Sequence, residues 1–91
     1  MNQAELIEQI ASEADLTKIQ TQSALRAMLK TIMQKVADGD KVTLVGFGTF
    51  EARERKAREG RNPKTGDKIN IPAAVVPTFS AGKAFREAVN Q

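Results

Sequence analysis

Residues 53–68 read RERKAREGRNPKTGDK, and this stretch decides the fold because none of the chain's Leu, Ile, Val, Met or Phe residues lies in it. Three of its side chains are acidic and seven are basic, the basic ones being Arg53, Arg55, Lys56, Arg58, Arg61, Lys64 and Lys68. A segment without large apolar side chains has nothing to bury against a core. We therefore expect residues 53–68 to project into solvent.

The centre of this segment, Gly60-Arg61-Asn62-Pro63-Lys64-Thr65-Gly66, has the composition of a turn. Asn is favoured at the start of a turn, Pro at the next position, and Gly where φ is positive. The chain should reverse here and form a two-stranded arm that reaches about 30 Å from Ala52. An isolated hairpin is only marginally stable in water, and the excess of positive charges on this one means that its cations repel one another. The sequence thus favours a polyanion as the partner that orders the arm, over a solvated loop whose charges only aid solubility.

Two helices are predicted before residue 40. Asn2 followed by Glu5 forms a capping box ahead of an apolar stripe that ends near Ala14, and Thr17 followed by Gln20 repeats the signature. The second helix should run about 20 residues to Asp38-Gly39 and form a helical hairpin with the first. Its apolar stripe, which includes Leu29, is interpreted as core and subunit interface.

Strands are predicted after residue 40, where the apolar period changes to two. Val42 and Leu44 alternate with polar residues, and Gly46-Phe47-Gly48 indicates a tight turn before alternation resumes at Phe50 and Ala52. A third strand should cover about residues 67–78, with its two prolines, Pro72 and Pro77, at an edge or a strand end. Ser80 is predicted to cap a short last helix that contains Phe85 and Val89.

These elements predict an α+β fold with one domain, residues 1–91. The body comprises residues 1–52 and 75–91, and the protruding β-arm comprises residues 53–74. The fold class is an N-terminal helical hairpin, a three-stranded antiparallel sheet extended into a β-ribbon arm, and a short C-terminal helix. So small a body buries little surface on its own, which favours an obligate dimer.

The composition excludes several classes of function. The 91 residues contain no Cys and no His, so thiol nucleophiles, disulfides, Cys/His metal sites and imidazole bases are absent. Glu5, Glu8 and Glu13 are the available acids in the first helix, but they are predicted on a solvated helix face. We expect no enzyme activity, no cofactor and no metal. No apolar run is long enough to cross a bilayer, and we expect a cytoplasmic protein.

Charge is distributed unevenly along the chain. The net charge of +3 divides into −2 for residues 1–40 and +5 for residues 41–91. A helix-turn-helix that reads bases through Gln20, Gln22, Ser23 and Arg26 is therefore disfavoured, because its surroundings would repel phosphates. The Gly46-Phe47-Gly48 run lacks the following helix and lysine of a nucleotide-binding loop.

Three motifs resemble one known family. They are Val42-Thr43-Leu44-Val45-Gly46-Phe47-Gly48-Thr49-Phe50, the arm tip at residues 60–66, and Val76-Pro77-Thr78-Phe79-Ser80-Ala81-Gly82-Lys83. Together they are similar to the HU and integration host factor superfamily of bacterial DNA-binding proteins, and the resemblance spans nearly the whole chain. It implies an intertwined homodimer whose two β-arms embrace the minor groove of double-stranded DNA.

The resemblance also implies roles for individual residues. Pro63 corresponds to a proline that inserts between base pairs, and Arg61 and Asn62 to its groove-contacting neighbours. Further DNA-binding residues implied are Arg53, Arg55, Arg58, Lys64 and Lys68 on the arm, and Gly46, Gly48 and Lys83 on the body. The expected dimer interface comprises Phe47, Phe50, Phe79, Leu29 and Leu44.

The implied function is non-sequence-specific, architectural DNA binding that bends and compacts DNA in the nucleoid, with a preference for bent, nicked or gapped forms. Alternatives are a sequence-preferring DNA bender like integration host factor, an RNA-binding protein, and a heterodimer with a related chain. Two departures from the family pattern stand out. Gln3 replaces a lysine that is common near the first helix, which weakens one expected body contact with phosphate, and the chain ends at Gln91 without a basic tail.

Overall fold

The computed structural model describes all 91 residues, Met1–Gln91, as three helices and five strands. In chain order the elements are α1 (Gln3–Ala14), α2 (Lys18–Ala37), β1 (Val42–Leu44), β2 (Gly48–Arg55), β3 (Arg58–Arg61), β4 (Lys68–Ile71), β5 (Ala74–Ala81) and α3 (Lys83–Val89). The chain divides into two compact units, residues 1–34 and residues 35–91. The fold class predicted for a single chain is confirmed.

Both N-terminal helices begin where the sequence predicts, because their caps are local. The Asn2 side chain accepts a hydrogen bond from the Glu5 N–H at 2.9 Å. At α2 the capping box is complete: Thr17 Oγ1 accepts from the Gln20 N–H, and Gln20 Oε1 accepts from the Thr17 N–H, both at 3.0 Å. These bonds satisfy N–H groups that have no partner inside a helix.

The strands form an antiparallel sheet in the order β1-β2-β5 and a two-stranded ribbon, β3-β4. β1 and β2 are joined by the predicted tight turn, which is closed by the Phe47 N–H donating to the Leu44 carbonyl at 2.9 Å. Gly46 adopts a φ of 82° within it. Glycine suits this position because a Cβ disfavours the left-handed region.

The third strand differs from its prediction. Residues 67–78 do not form one strand, because the pairing stops at Pro72 and Ala73 and divides the segment into β4 and β5. Pro72 has no N–H to donate to a ladder, which explains why the interruption lies there. Pro77 lies within β5, an edge strand of the three-stranded sheet, as its prediction allowed.

The predicted cap of the last helix is wrong. Ser80 lies in β5 opposite Thr49, and the N-cap of α3 is Gly82. Ladder hydrogen bonds with β2 extend the strand to Ala81, so the helix starts later than the capping preference of Ser80 indicated. The Gly82 N–H donates to the Phe47 carbonyl at 2.8 Å, which holds the start of α3 against the β1–β2 turn.

The single chain buries few side chains. Ile7, Ala11 and Val36 are its buried hydrophobic residues, and no large side chain is fully enclosed. On α2, Leu29 of the predicted apolar stripe and its neighbour Met28 are nearly half exposed, and Met33 is 71% exposed. One chain alone therefore leaves much apolar surface in contact with water.

Gly48 provides a test of the packing of the sheet. A Cβ at this position would lie 2.5 Å from Cζ of Phe79 and 2.6 Å from the backbone oxygen of Ser80, so Gly48→Ala forces the β2–β5 pair apart. We expect it to lower the free energy of unfolding by about 2–3 kcal/mol. Gly46→Ala is the control, because a Cβ there meets no atom within 4 Å and adds only backbone strain. Urea unfolding at one protein concentration measures both, and an equal loss in the two variants would contradict this packing.

Candidate nucleic-acid interface

The arm is one ribbon in continuous register. β2 pairs with β5 from Gly48 opposite Ala81 to Arg55 opposite Ala74, and β3 pairs with β4 from Arg58 opposite Ile71 to Arg61 opposite Lys68. The second set of pairs continues the register of the first without a bulge. Between the two sets of pairs, only residues 56–57 on one side and residues 72–73 on the other lie outside the strands.

The two faces of the β3–β4 ribbon differ in chemistry. Because side chains alternate along a strand, Gly60, Ile69 and Ile71 share one face with Arg58. The other face carries Glu59, Arg61, Lys68 and Asn70. The cations of the arm are therefore distributed over both faces.

The tip is held by hydrogen bonds made by Asn62. Its N–H donates to the Asp67 carbonyl at 2.9 Å, and its carbonyl accepts from the Gly66 N–H at 2.7 Å. Its side-chain Oδ1 accepts from the Lys64 N–H at 2.9 Å. Pro63 makes none of these bonds and is exposed at the end of the arm. The turn thus presents Pro63 to solvent on a backbone that other residues fix.

Three of the exposed arm cations that were predicted to bind DNA lie free of carboxylates. No Asp or Glu oxygen lies within 4 Å of the charged groups of Arg58, Arg61 or Lys64, whereas Lys68 Nζ lies 4.0 Å from Glu59. All four side chains are exposed. Their charges are available to an anion from outside the chain.

The base of the arm is different, because Arg53 is already paired. Its Nε donates to Glu51 Oε1 at 2.7 Å, and Lys41 Nζ lies 3.4 Å from Glu51 Oε2. The hydrogen bond from Arg53, followed by that from Lys41, lowers the pKa of the Glu51 carboxyl below its usual value. Glu51 therefore stays ionised and holds two cations on the face of the sheet opposite Phe50.

Arg55 is also engaged within the arm. Its Nη2 donates to the Pro72 carbonyl at 3.1 Å, and its Nε is enclosed without a hydrogen-bond partner. The side chain is half-buried, unlike those of Arg53 and Arg58. A phosphate contact by Arg55 stays a prediction.

The predicted body contacts lie together at the opposite end of β2 from the arm. Gly46 is exposed in the turn that Gly82 holds, and Lys83 follows Gly82 with its side chain 83% exposed. Gly48 is buried, and the ring of Phe79 covers the position that a Cβ would take. The structure thus explains the glycine at position 48 by packing, and its DNA contact remains a prediction.

The predicted interface aromatics form a cluster with one residue that the sequence analysis missed. The ring centroids of Phe50 and Phe79 are 4.8 Å apart, and Phe47 lies 5.2 Å from Phe79. Phe85 of α3 stacks on Phe47 at 5.2 Å with an interplanar angle of 15°. Leu44, on the same face of the sheet as Phe50, is half-buried. The apolar spacing in the sequence did not link Phe85 to the β1–β2 turn, so only the folded structure identifies it as a member of the cluster.

Lys41 and Glu51 were also missed as parts of the site. Their pairing follows from the register of β1 and β2, in which Val42 lies opposite Phe50, so that Lys41 and Glu51 are neighbours across the strands. Strand alternation places Glu51 and Arg53 on one face, and this was the sequence signal that could have identified their pairing.

None of the three helices combines the length and apolarity needed to cross a bilayer.

Comparison with known proteins identifies the class. The family model described as bacterial DNA-binding protein matches residues 1–90. The chain is 62% identical to DNA-binding protein HU of Nostoc sp. over 98% of this chain and 95% of the relative, and 54% identical to that of Clostridium pasteurianum over the full length of both. The chain belongs to the bacterial DNA-binding protein family, in which these relatives are HU proteins.

Comparison with solved structures indicates the same family. The chain superposes on a chain of an Anabaena HU–DNA cocrystal structure with a TM-score of 0.92 and 62% identity, covering 98% of this chain and 97% of that one. HU from Thermotoga maritima matches with a TM-score of 0.70 and 35% identity, covering 98% of each chain. The predicted family is confirmed.

The Glu51 pair can be tested by titration. We expect the Glu51 carboxyl, followed by NMR, to titrate below its usual pKa, and Arg53→Gln to raise that pKa more than Lys41→Gln does. Because the folded-state pKa is lowered, the pairing stabilises the fold at neutral pH and this contribution is lost as pH falls through the folded pKa. Arg58→Gln is the matched control and should leave the titration of Glu51 unchanged. A normal pKa in the wild type would contradict the pairing.

Proposed function

We propose that this protein is a non-sequence-specific architectural DNA-binding protein of the bacterial nucleoid, which acts as a homodimer and has no enzyme activity. It binds double-stranded DNA with its two arms in the minor groove, bends it and thereby compacts it. The single observation that carries this proposal is the ribbon itself: an arm in continuous register that carries unpaired cations and ends in an exposed proline.

The electrostatics of the arm support a nucleic acid as the partner. Arg58, Arg61 and Lys64 have no carboxylate within 4 Å, and ordering them near one another is unfavourable until an anion neutralises them. A duplex supplies one phosphate charge per roughly 1.7 Å of its axis. A ribbon that lies along the duplex can therefore place each of its cations near a phosphate. The Anabaena HU structure that this chain resembles contains DNA, in accord with this proposal.

The tip is suited to the minor groove. There the base edges offer chiefly acceptors, adenine N3 and thymine O2, whose pattern is degenerate. The Oδ1 atom of Asn62 is occupied by the Lys64 N–H, which leaves the amide NH₂ of Asn62 to donate, and Arg61 carries only donors. Such side chains bind the groove without distinguishing most sequences, which supports recognition by shape and deformability.

The body provides a second region of contact. Gly46 and Lys83 lie at the far end of β2 from the arm, where the backbone of the turn is open and the lysine is exposed. A duplex held at both regions has more contacts to offset the cost of deforming it. Bending in this proposal comes from insertion of Pro63 at the tip.

The exposed apolar surface supports a dimer. Phe47, Phe79 and Phe85 are each more than a third exposed in the single chain, and Leu29 is 44% exposed. A second copy that covers these residues supplies the core that one chain lacks. The proposed interface therefore comprises the aromatic cluster, Leu29 and Leu44.

The dimer can be tested at micromolar concentration. We expect light scattering to give twice the mass of the chain, and Phe47→Ala to lower the free energy of dimer unfolding by about 2–4 kcal/mol because it opens a cavity in the shared core. Val45→Ala is the matched control, since Val45 is the exposed neighbour in the same turn and should have little effect. A folded wild-type monomer would refute the proposed interface.

Insertion by Pro63 can be tested with linear and nicked duplexes of one sequence. A rigid apolar side chain that opens a base step costs about a few kcal/mol of unstacking, and the cost is smaller at a nick. We expect the wild type to favour the nicked duplex by about tenfold or more, and Pro63→Ala to reduce this to about threefold while nearly retaining its affinity for linear DNA. The tip should persist in this variant, because its hydrogen bonds are made by Asn62 and Gly66.

Lys64→Gln is the control for this experiment. It removes a charge beside Pro63, so it should weaken binding to both duplexes by the same factor. Equal wild-type affinity for the two duplexes would contradict insertion. A strong preference for one DNA sequence would favour the integration-host-factor-like alternative, and tighter binding of structured RNA would favour the RNA-binding one.

A further inference from the structure

The arm is interrupted at one level on both strands. Lys56 and Ala57 separate β2 from β3, and Pro72 and Ala73 separate β4 from β5. Because the register is the same on either side, Pro72 lies opposite Ala57 and Ala73 lies opposite Lys56. The ribbon thus consists of a base and an outer segment, joined by two opposed dipeptides outside the strands.

Backbone pairing cannot be complete at this level. Pro72 has no N–H, so one donor of the ladder is missing. A shallow cleft also opens beside the interruption, lined by Ala57, Arg58, Ile71 and Pro72 among others. The outer ribbon is therefore free to change direction here unless a side chain holds it.

Arg55 supplies that restraint. It is the last residue of β2, and its Nη2 donates to the carbonyl of Pro72 at 3.1 Å, which links the end of the base to the interruption on the other strand. The Nε atom of Arg55 is enclosed without a hydrogen-bond partner, and the side chain is half-buried. An arginine used only to attract phosphates would extend into solvent, as Arg58 does.

We propose that Arg55 is a positioning residue that sets the direction of the outer arm by bonding the Pro72 carbonyl across the interruption. The consequence rests on the proposed function: an outer arm that is restricted in direction loses less conformational freedom when it binds a duplex, and it favours DNA whose shape already fits.

The direct test is made without DNA. The chain has no Cys, so Val45→Cys in the body turn and Lys64→Cys at the tip allow two spin labels to be attached. Labelled chains diluted in a large excess of unlabelled chain report one intrachain distance by double electron–electron resonance. We expect the distance distribution of Arg55→Lys to be clearly broader than that of the wild type, because lysine keeps the charge but loses the planar donor fork.

Arg58→Lys is the matched control, because it makes the same chemical change beyond the interruption and should leave the distribution as it is in the wild type. Pro72→Ala restores an N–H, so the ladder should close and Arg55→Lys should broaden the distribution much less in that background. Unchanged width in Arg55→Lys, or equal broadening with and without Pro72→Ala, would overturn the proposal.

A binding experiment adds the functional consequence. Since Arg55→Lys keeps the charge, we expect its main effect to be on the preference for nicked over linear duplex, which should fall by about two- to tenfold. An equal loss on both duplexes would show a phosphate contact in place of a positioning role. Absence of DNA binding by the wild type would refute the proposed function and leave the distance measurement valid.

Discussion

The antiparallel pairing of β2 with the returning strand is the constraint on which the rest of the structure depends. The same register runs from Gly48 opposite Ala81 to Arg61 opposite Lys68. At one end it brings the ring of Phe79 over Gly48, where no side chain fits. At the other end it carries a stretch without large apolar side chains away from any core. Packing and recognition are thus separated along one pair of strands.

The charges of the arm fall into two groups that this register creates. Arg53 is bound by Glu51, and Arg55 by the Pro72 carbonyl, so both serve the structure of the base. Arg58, Arg61 and Lys64 have no acidic partner and are exposed. These three cations lie on the outer arm, where an anion can reach them without breaking an existing pair.

Local features of the fold could be predicted from the sequence, and features that depend on register could not. The caps at Asn2 and Thr17 involve residues three apart, so their hydrogen bonds follow from the chain itself. Ser80 also carries a capping preference, but pairing with Thr49 retains it in β5. A preference of about 1 kcal/mol is outweighed when a neighbouring strand offers ladder bonds.

The same distinction applies to the candidate site. The cationic arm and its turn at Asn62 and Gly66 were predictable because local composition and turn preferences depend only on residues that are adjacent in sequence. The pairing of Glu51 with Lys41 and the stacking of Phe85 on Phe47 join residues distant in sequence. Such contacts require the register and the position of α3, which periodicity alone does not supply.

The central claim is that the unpaired cations of the outer arm bind DNA phosphates, and the salt dependence of affinity tests it most directly. The observed association constant for one duplex is measured over a range of salt concentrations. If Arg58, Arg61 and Lys64 of each arm in a dimer neutralise phosphates, the logarithm of the constant should fall linearly with the logarithm of salt, with a slope of about −5 or steeper. A slope shallower than about −1 would contradict the claim, because it would mean that few counterions are released on binding.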